Sequence, residues 1–191
     1  STWSTKIMNE DTTANTFELP AYGKLYLRGE NPVLCSTSGN NYYNSITCSG
    51  KHDVGGNIMS LLYGSNFIGV TEFPTTTNRD FILNSLFMNN TTLVNAQDLQ
   101  LPVTTLSNWC YSNMFFGCSS LITAPELPAL TLASQCYSYM FNNCSSLVKA
   151  PELPATTLAS ACYQNMFFGC KNLTTAPSIL PATTLKSNCY N

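Results

Sequence analysis

Along the second half of the chain the apolar positions keep two alternating rhythms. Leu132, Cys136, Met140 and Cys144 are spaced by four, with Phe141 beside them, which lays apolar side chains along one stripe of a short helix. Thr or Ser just upstream of Leu132 and its equivalents can accept bonds from the first free backbone N–H groups, as a helix cap does. The helix is expected to close at the residue before the second cysteine. That residue is Gly117, Asn143 and Gly169 in turn, and Asn89 in a weaker copy; glycine and asparagine best tolerate the left-handed conformation at a helix end. Next comes Leu-x-x-Ala-Pro-Glu-Leu-Pro, as from Leu121 to Pro128. Its prolines forbid a helix, and the stretch predicts a brief strand.

These two halves recur as a unit. The chain reads CYSNMFFGCSSL from Cys110, CYSYMFNNCSSL from Cys136 and CYQNMFFGCKNL from Cys162, and begins again at Cys189, at spacings of 26, 26 and 27 residues. A degenerate copy precedes them, with Ile82 for the first Cys, Leu86-Phe87 for Met-Phe, Asn90 for the second Cys, Leu93 for the Leu and Leu101 to Leu106 for the LPATTL stretch. The segment from Leu61 to Pro74 reads as a still weaker copy. One such unit cannot bury its own Leu, Cys, Met and Phe side chains, whereas stacked units bury them in a continuous column. Parallel strands about 4.8 Å apart on one side, helices on the other and a right-handed connection between them predict an α/β solenoid that curves with its sheet inside. The sequence stops at the third residue of a new unit, Cys189-Tyr190-Asn191, so the natural protein is expected to continue, or molecules to pack together there.

The pattern Cys-Tyr-x-x-Met-Phe-x-x-Cys-x-x-Leu, followed by Ala-Pro-Glu-Leu-Pro-Ala-Thr-Thr-Leu, resembles the BspA-like leucine-rich repeat of surface proteins of Bacteroides and relatives and of some protists. The resemblance covers about Leu86 to Asn191 most specifically and extends back to Asn57. It implies a right-handed leucine-rich-repeat solenoid, secreted or held at the outer surface, that binds other macromolecules. It implies no catalytic residues.

Residues 16–56 have a different texture. Leu25 and Leu27 alternate with Lys24, Tyr26 and Arg28, the rhythm of a half-buried strand. Further strands are expected near Pro32 to Cys35 and Tyr42 to Cys48, separated by the turn-forming Ser-Thr-Ser-Gly-Asn-Asn. Together they predict a small antiparallel β cap over the open end of the solenoid, since terminal units need a face that water accepts. The organisation is then a loose arm at 1–15, the cap at 16–56, irregular units at 57–109 and regular units from 110 to 191.

Composition narrows the function. Charged residues make up only 9% of the 191-residue chain and the net charge is -2 with no basic cluster, so a phosphate-neutralising surface is not expected, and neither is a nucleic-acid partner. No run approaches the roughly 20 apolar residues that a membrane-spanning helix needs. Neither a signal segment nor a lipobox cysteine follows Ser1. The nine cysteines invite a metal, but within a unit they stand eight residues apart, about 12 Å along a helix, too far to share zinc or a disulfide. They are expected to form a ladder of small buried hydrophobes, and neither a metal nor a cofactor is expected. Cys35 and Cys48 differ: a hairpin centred near Asn41 would bring them opposite one another, a geometry that permits a disulfide.

Catalysis finds little support. His52 is the single histidine, and in Gly-Lys-His-Asp-Val-Gly-Gly it reads as an exposed turn. Glu126 and Glu152 recur at one position, stacked instead of flanking a cleft, and Ser178 replaces them in the next unit. Asn-x-Ser/Thr sequons at Asn89, Asn90, Asn143 and Asn172 are what chance yields in so Asn- and Thr-rich a chain. Binding has better candidates. Asn95, Thr123, Lys149 and Thr175 should face solvent on the sheet side, with Gln97, Pro125, Pro151 and Pro177 two residues later. Trp109 fills a variable slot, where it either anchors a partner or shields the seam between irregular and regular units. The expected function is a non-catalytic, extracytoplasmic recognition or adhesion module for a protein or glycan on a host or neighbouring cell. Two alternatives are a glycan-binding protein using Tyr42 and Tyr43 of the β region, and a structural spacer for a further domain.

Overall fold

The structure, a computed structural model, describes residues 25–27, 45–74 and 80–191. Its organising feature is the destination of the backbone N–H groups between 107 and 118. The amides of Ser112, Met114, Phe116 and Cys118 bond three residues back, to Trp109, Tyr111, Asn113 and Phe115. The alternate amides of Tyr111, Asn113, Phe115 and Gly117 bond instead to Cys136, Ser138, Met140 and Asn142 of the next repeat, at 2.8–3.0 Å. Tyr137, Tyr139, Phe141 and Asn143 donate in the same way to Cys162, Gln164, Met166 and Phe168. Each repeat is thus one coil laid on the next.

The short helices expected from the fourfold spacing are therefore absent. The α-helix among the described residues, α1 (Ser60–Tyr63), lies elsewhere. The segment is a ribbon of successive β-turns in which every fourth residue is left-handed: Trp109, Asn113 and Gly117, then Gln135, Tyr139 and Asn143, then Ala161, Asn165 and Gly169. A helix would keep all its N–H groups to itself, whereas the turn ribbon releases every second one to the neighbouring coil. Left-handed geometry costs about 1–2 kcal/mol for a residue with a Cβ, and the bonds between coils offset it. The same spacing of four survives because it is also the period of the left-handed positions.

On the opposite side the coils meet through short parallel pairings. Strand β1 (His52–Asp53) pairs with β3 (Leu93–Asn95), and β2 (Gly56–Asn57) with β4 (Leu99–Gln100). Two lines of single-residue parallel bridges continue through the regular repeats. One joins Asn95, Thr123, Lys149 and Thr175; the other joins Thr105, Thr131, Thr157 and Thr184.

The first coil begins earlier than the sequence suggests. Ile46 donates to Leu86 as Phe87 donates to Met114, and His52 pairs with Leu93, so Ile46 takes the Phe slot and His52 the Leu slot. The residues 45–56 assigned to an antiparallel cap thus run parallel to the repeats, and the boundary at 57 falls inside a coil. Gly56, Ile58 and Thr71 align with Leu99, Leu101 and Thr104. The segment from Leu61 to Pro74 is accordingly not a further copy: it begins with α1 and a 3-10 turn (Gly64–Asn66) inserted into this coil. Leu25 and Leu27, expected on a half-buried strand, are exposed and belong to no strand. The rest of that region, the arm at 1–15 included, lies outside the described residues.

The interior follows from the repeat. Met114, Met140 and Met166 are buried, as are Cys110, Cys136, Cys162 and Cys189 and the leucines Leu93, Leu121 and Leu147. Two files of aromatic rings run through the stack. Tyr111, Tyr137, Tyr163 and Tyr190 follow one another at 5.6–5.8 Å between centroids. Phe87, Phe115, Phe141 and Phe167 do so at 5.4–5.9 Å. Rings are nearly parallel because each occupies the same slot one coil on.

The hydroxyls of Tyr111 and Tyr137 are buried with no hydrogen-bond partner. Desolvating such a group costs about 1–3 kcal/mol, and removing it leaves the ring's packing in place. Tyr137→Phe is therefore expected to leave the urea midpoint unchanged or to raise it. A clear fall would mean that the hydroxyl is bonded in solution.

Candidate functional site

The coil-to-coil pairings line up the four sheet-side residues. Successive parallel bridges join Asn95 to Thr123, Thr123 to Lys149 and Lys149 to Thr175, and the Thr123 hydroxyl donates to Asn95 Oδ1. Asn95 and Thr123 are half-buried, Lys149 and Thr175 exposed. The row two residues on does not hold. Gln97 is exposed, but Pro125 is buried and Pro151 and Pro177 are half-buried, since the chain bends inward there to bring Leu127 and Leu153 into the core.

Two further rows flank the first. Ile122 bonds through its amide to Val94 and Val148 to Ile122, and these two side chains are 45% and 44% exposed, which sets an apolar strip beside the polar one. The second bridge line displays Thr105, Thr131, Thr157 and Thr184, all exposed. Their signal was in the sequence as the repeated Thr of LPATTL, but its in-or-out phase depends on the bend at the prolines. Beyond the polar row, Glu152 Oε2 accepts from the amide of Ser178 at 2.9 Å and from its hydroxyl at 2.8 Å. The Ser178 side chain, then its amide, with Lys149 adding a little, holds the Glu152 carboxyl below the usual carboxylate range. Glu152 is an exposed, hydrogen-bonded surface group.

Trp109 lies on the other face. It is left-handed and half-buried, and its ring stacks on Phe81 at 5.6 Å and 14°. The stack joins the degenerate coil, which carries Phe81, to the first regular coil. His52, read from sequence as an exposed turn, lies on β1 and is half-buried. Its Nδ1 is 3.0 Å from the Gly50 carbonyl and its Nε2 3.1 Å from Asn90 Nδ2. Both ring nitrogens are thus engaged within the coil interface.

The cysteines split into two files. The thiols of Cys118, Cys144 and Cys170 donate to the carbonyls of Phe87, Phe115 and Phe141 in the preceding coil, at 3.0–3.1 Å. Asn90 replaces a cysteine at this slot and does the same work, donating through Nδ2 to Ile46 at 3.0 Å. Burial pushes the thiols of Cys118 and Cys136 up to about 12, and those of Cys110 and Cys144 well above their usual 9. Such thiols are poor nucleophiles and poor ligands. No group of three or more His, Cys, Asp or Glu able to hold a metal ion occurs among the described residues. Cys48 is exposed with a free thiol; Cys35, and the candidate pair Tyr42 and Tyr43, lie outside the described residues. No helix among those residues is long and apolar enough to cross a membrane.

Comparison with family models, with curated proteins and with solved structures finds no match to this chain.

Proposed function

We propose that this protein is a non-catalytic recognition or adhesion module of the BspA-like leucine-rich-repeat type, a right-handed solenoid working outside the cytoplasm at a cell surface. Its partner on this reading is a protein or glycan on a host or neighbouring cell. One observation carries the proposal. The bridged row Asn95–Thr123–Lys149–Thr175 lies beside the exposed Ile122 and Val148, so a hydrogen-bonding strip and an apolar strip run side by side from coil to coil over a surface with little charge. A polymer laid along the stack would meet the same chemistry at every coil. Many weak contacts then add, and the backbone that presents them is already ordered, so little conformational entropy is lost on binding.

The test is a glycan and matrix-protein array probed with the intact chain, followed by Thr123→Arg and Lys149→Glu against whatever is retained. Each substitution is expected to weaken binding by about tenfold, the scale of a 1.4 kcal/mol contact. Retention of full affinity in both variants would reject this surface, and an empty array would reject the recognition function.

A further inference from the structure

The slot before the second cysteine holds Asn89, Gly117, Asn143 and Gly169, with φ of 59°, 72°, 60° and 78°. Tolerance of left-handed backbone explains why asparagine and glycine are chosen here. It does not explain why they alternate. Packing between coils does. A Cβ on Gly117 would lie 2.4 Å from Asn89 Oδ1, and a Cβ on Gly169 would lie 2.3 Å from Asn143 Oδ1, both inside the 3.0 Å that real Cβ atoms essentially never cross. Each asparagine therefore folds its amide over the next coil and occupies the space a side chain would need there. The Asn143 amide is held in place, since its Nδ2 donates to Asn142 Oδ1 at 2.8 Å. A glycine has nothing to fold over its successor, so the coil after it can again carry asparagine.

Within the three regular coils two neighbouring slots alternate in step, one reading Asn113, Tyr139, Asn165 and the other Phe116, Asn142, Phe168, whereas the degenerate coil has Ser85 and Met88 there. We infer that the building unit of this array is a pair of coils, an asparagine coil seated on a glycine coil, and that the pair acts as a register lock. Near-identical repeats are prone to pair with the wrong neighbour. Were the coil from 110 looped out, Asn89 would face Asn143, and the Asn89 amide would meet the Asn143 Cβ where Gly117 now leaves room. Misassembly by a single coil is thus opposed sterically, although the aromatic, cysteine and methionine files would accept it.

The lock is tested by Gly169→Asn in two backgrounds, with thermal unfolding followed by circular dichroism. Asparagine accepts the left-handed backbone, so a cost at this position reports the clash with Asn143 and not strain in the chain. Gly169→Asn alone is expected to lower the melting temperature or abolish folding, and Asn143→Gly/Gly169→Asn to melt where Asn143→Gly alone does. Equal losses in the two backgrounds, or failure of the double variant to fold where Asn143→Gly folds, would overturn the inference. The outcome is independent of what the surface binds.

Discussion

Raising the pH from about 8 to about 11 under reducing conditions is expected to unfold the protein cooperatively, because its buried thiols must stay protonated. In the unfolded chain a thiol titrates near its usual 9, whereas burial raises Cys118 and Cys136 to about 12 and Cys110 and Cys144 upward as well. Below 9 both states hold the proton and the contribution is complete. Between 9 and 12 the unfolded chain has released protons that the folded chain retains, so stability falls as pH rises. Each thiol that keeps its proton while the unfolded chain releases one costs up to about 1.4 kcal/mol per pH unit, and the losses of the several buried thiols add. The buried tyrosines, also raised by desolvation, steepen the loss at higher pH. Urea midpoints measured at half-unit steps should fall on this slope, and Cys136→Ala should flatten it by about one thiol's share. A midpoint independent of pH between about 8.5 and 10.5 would mean that these thiols reach water in the native state.

The burial behind this prediction was legible from residue spacing alone. Cysteine, methionine and phenylalanine recur every 26 residues, and no arrangement but stacking buries them all, so the buried column follows whatever the backbone does. The backbone itself was not legible. Leu132, Cys136, Met140 and Cys144 satisfy a helix stripe and a turn ribbon equally well, and only the partner of each N–H decides between them. The left-handed slots would have betrayed the ribbon had all carried glycine or asparagine, but Trp109, Gln135, Tyr139 and Ala161 occupy them too, and none of these announces such a conformation.

The start of the array was hidden for a related reason. Ile46, Ser49 and His52 stand where later coils have Phe, Cys and Leu, and the insertion that begins with α1 lengthens the first coil, so neither identity nor period marks it. In the candidate surface, the row of Asn95, Thr123, Lys149 and Thr175 could be read because it follows the conserved spacing from Leu to Ala-Pro within each unit. The prolines two residues on could not, since extended alternation assigns them to solvent while the inward bend toward Leu127 and Leu153 buries Pro125.

Phe141→Ala should be among the most damaging single truncations in the stack, and Phe167→Ala much milder. Phe141 is fully buried and lies between Phe115 and Phe167, at 5.4 and 5.9 Å. Removing a buried phenylalanine costs about 3–5 kcal/mol through lost transfer energy and the cavity left behind, with ring pairs adding about 0.5–1.5 kcal/mol each. Phe167 is half-buried, so less of that area is at stake. Position matters as much as size. In a stack where each coil touches only its neighbours, stability is a sum of coil and interface contributions, and a defect at Phe141 weakens two adjoining interfaces in the middle of the regular coils. The variant's unfolding should lose its single transition, with tryptophan fluorescence, which includes Trp109, and circular dichroism ceasing to coincide. If instead Phe141→Ala and Phe167→Ala fall by equal amounts and both keep one sharp transition, the coils unfold as one body and the nearest-neighbour description fails.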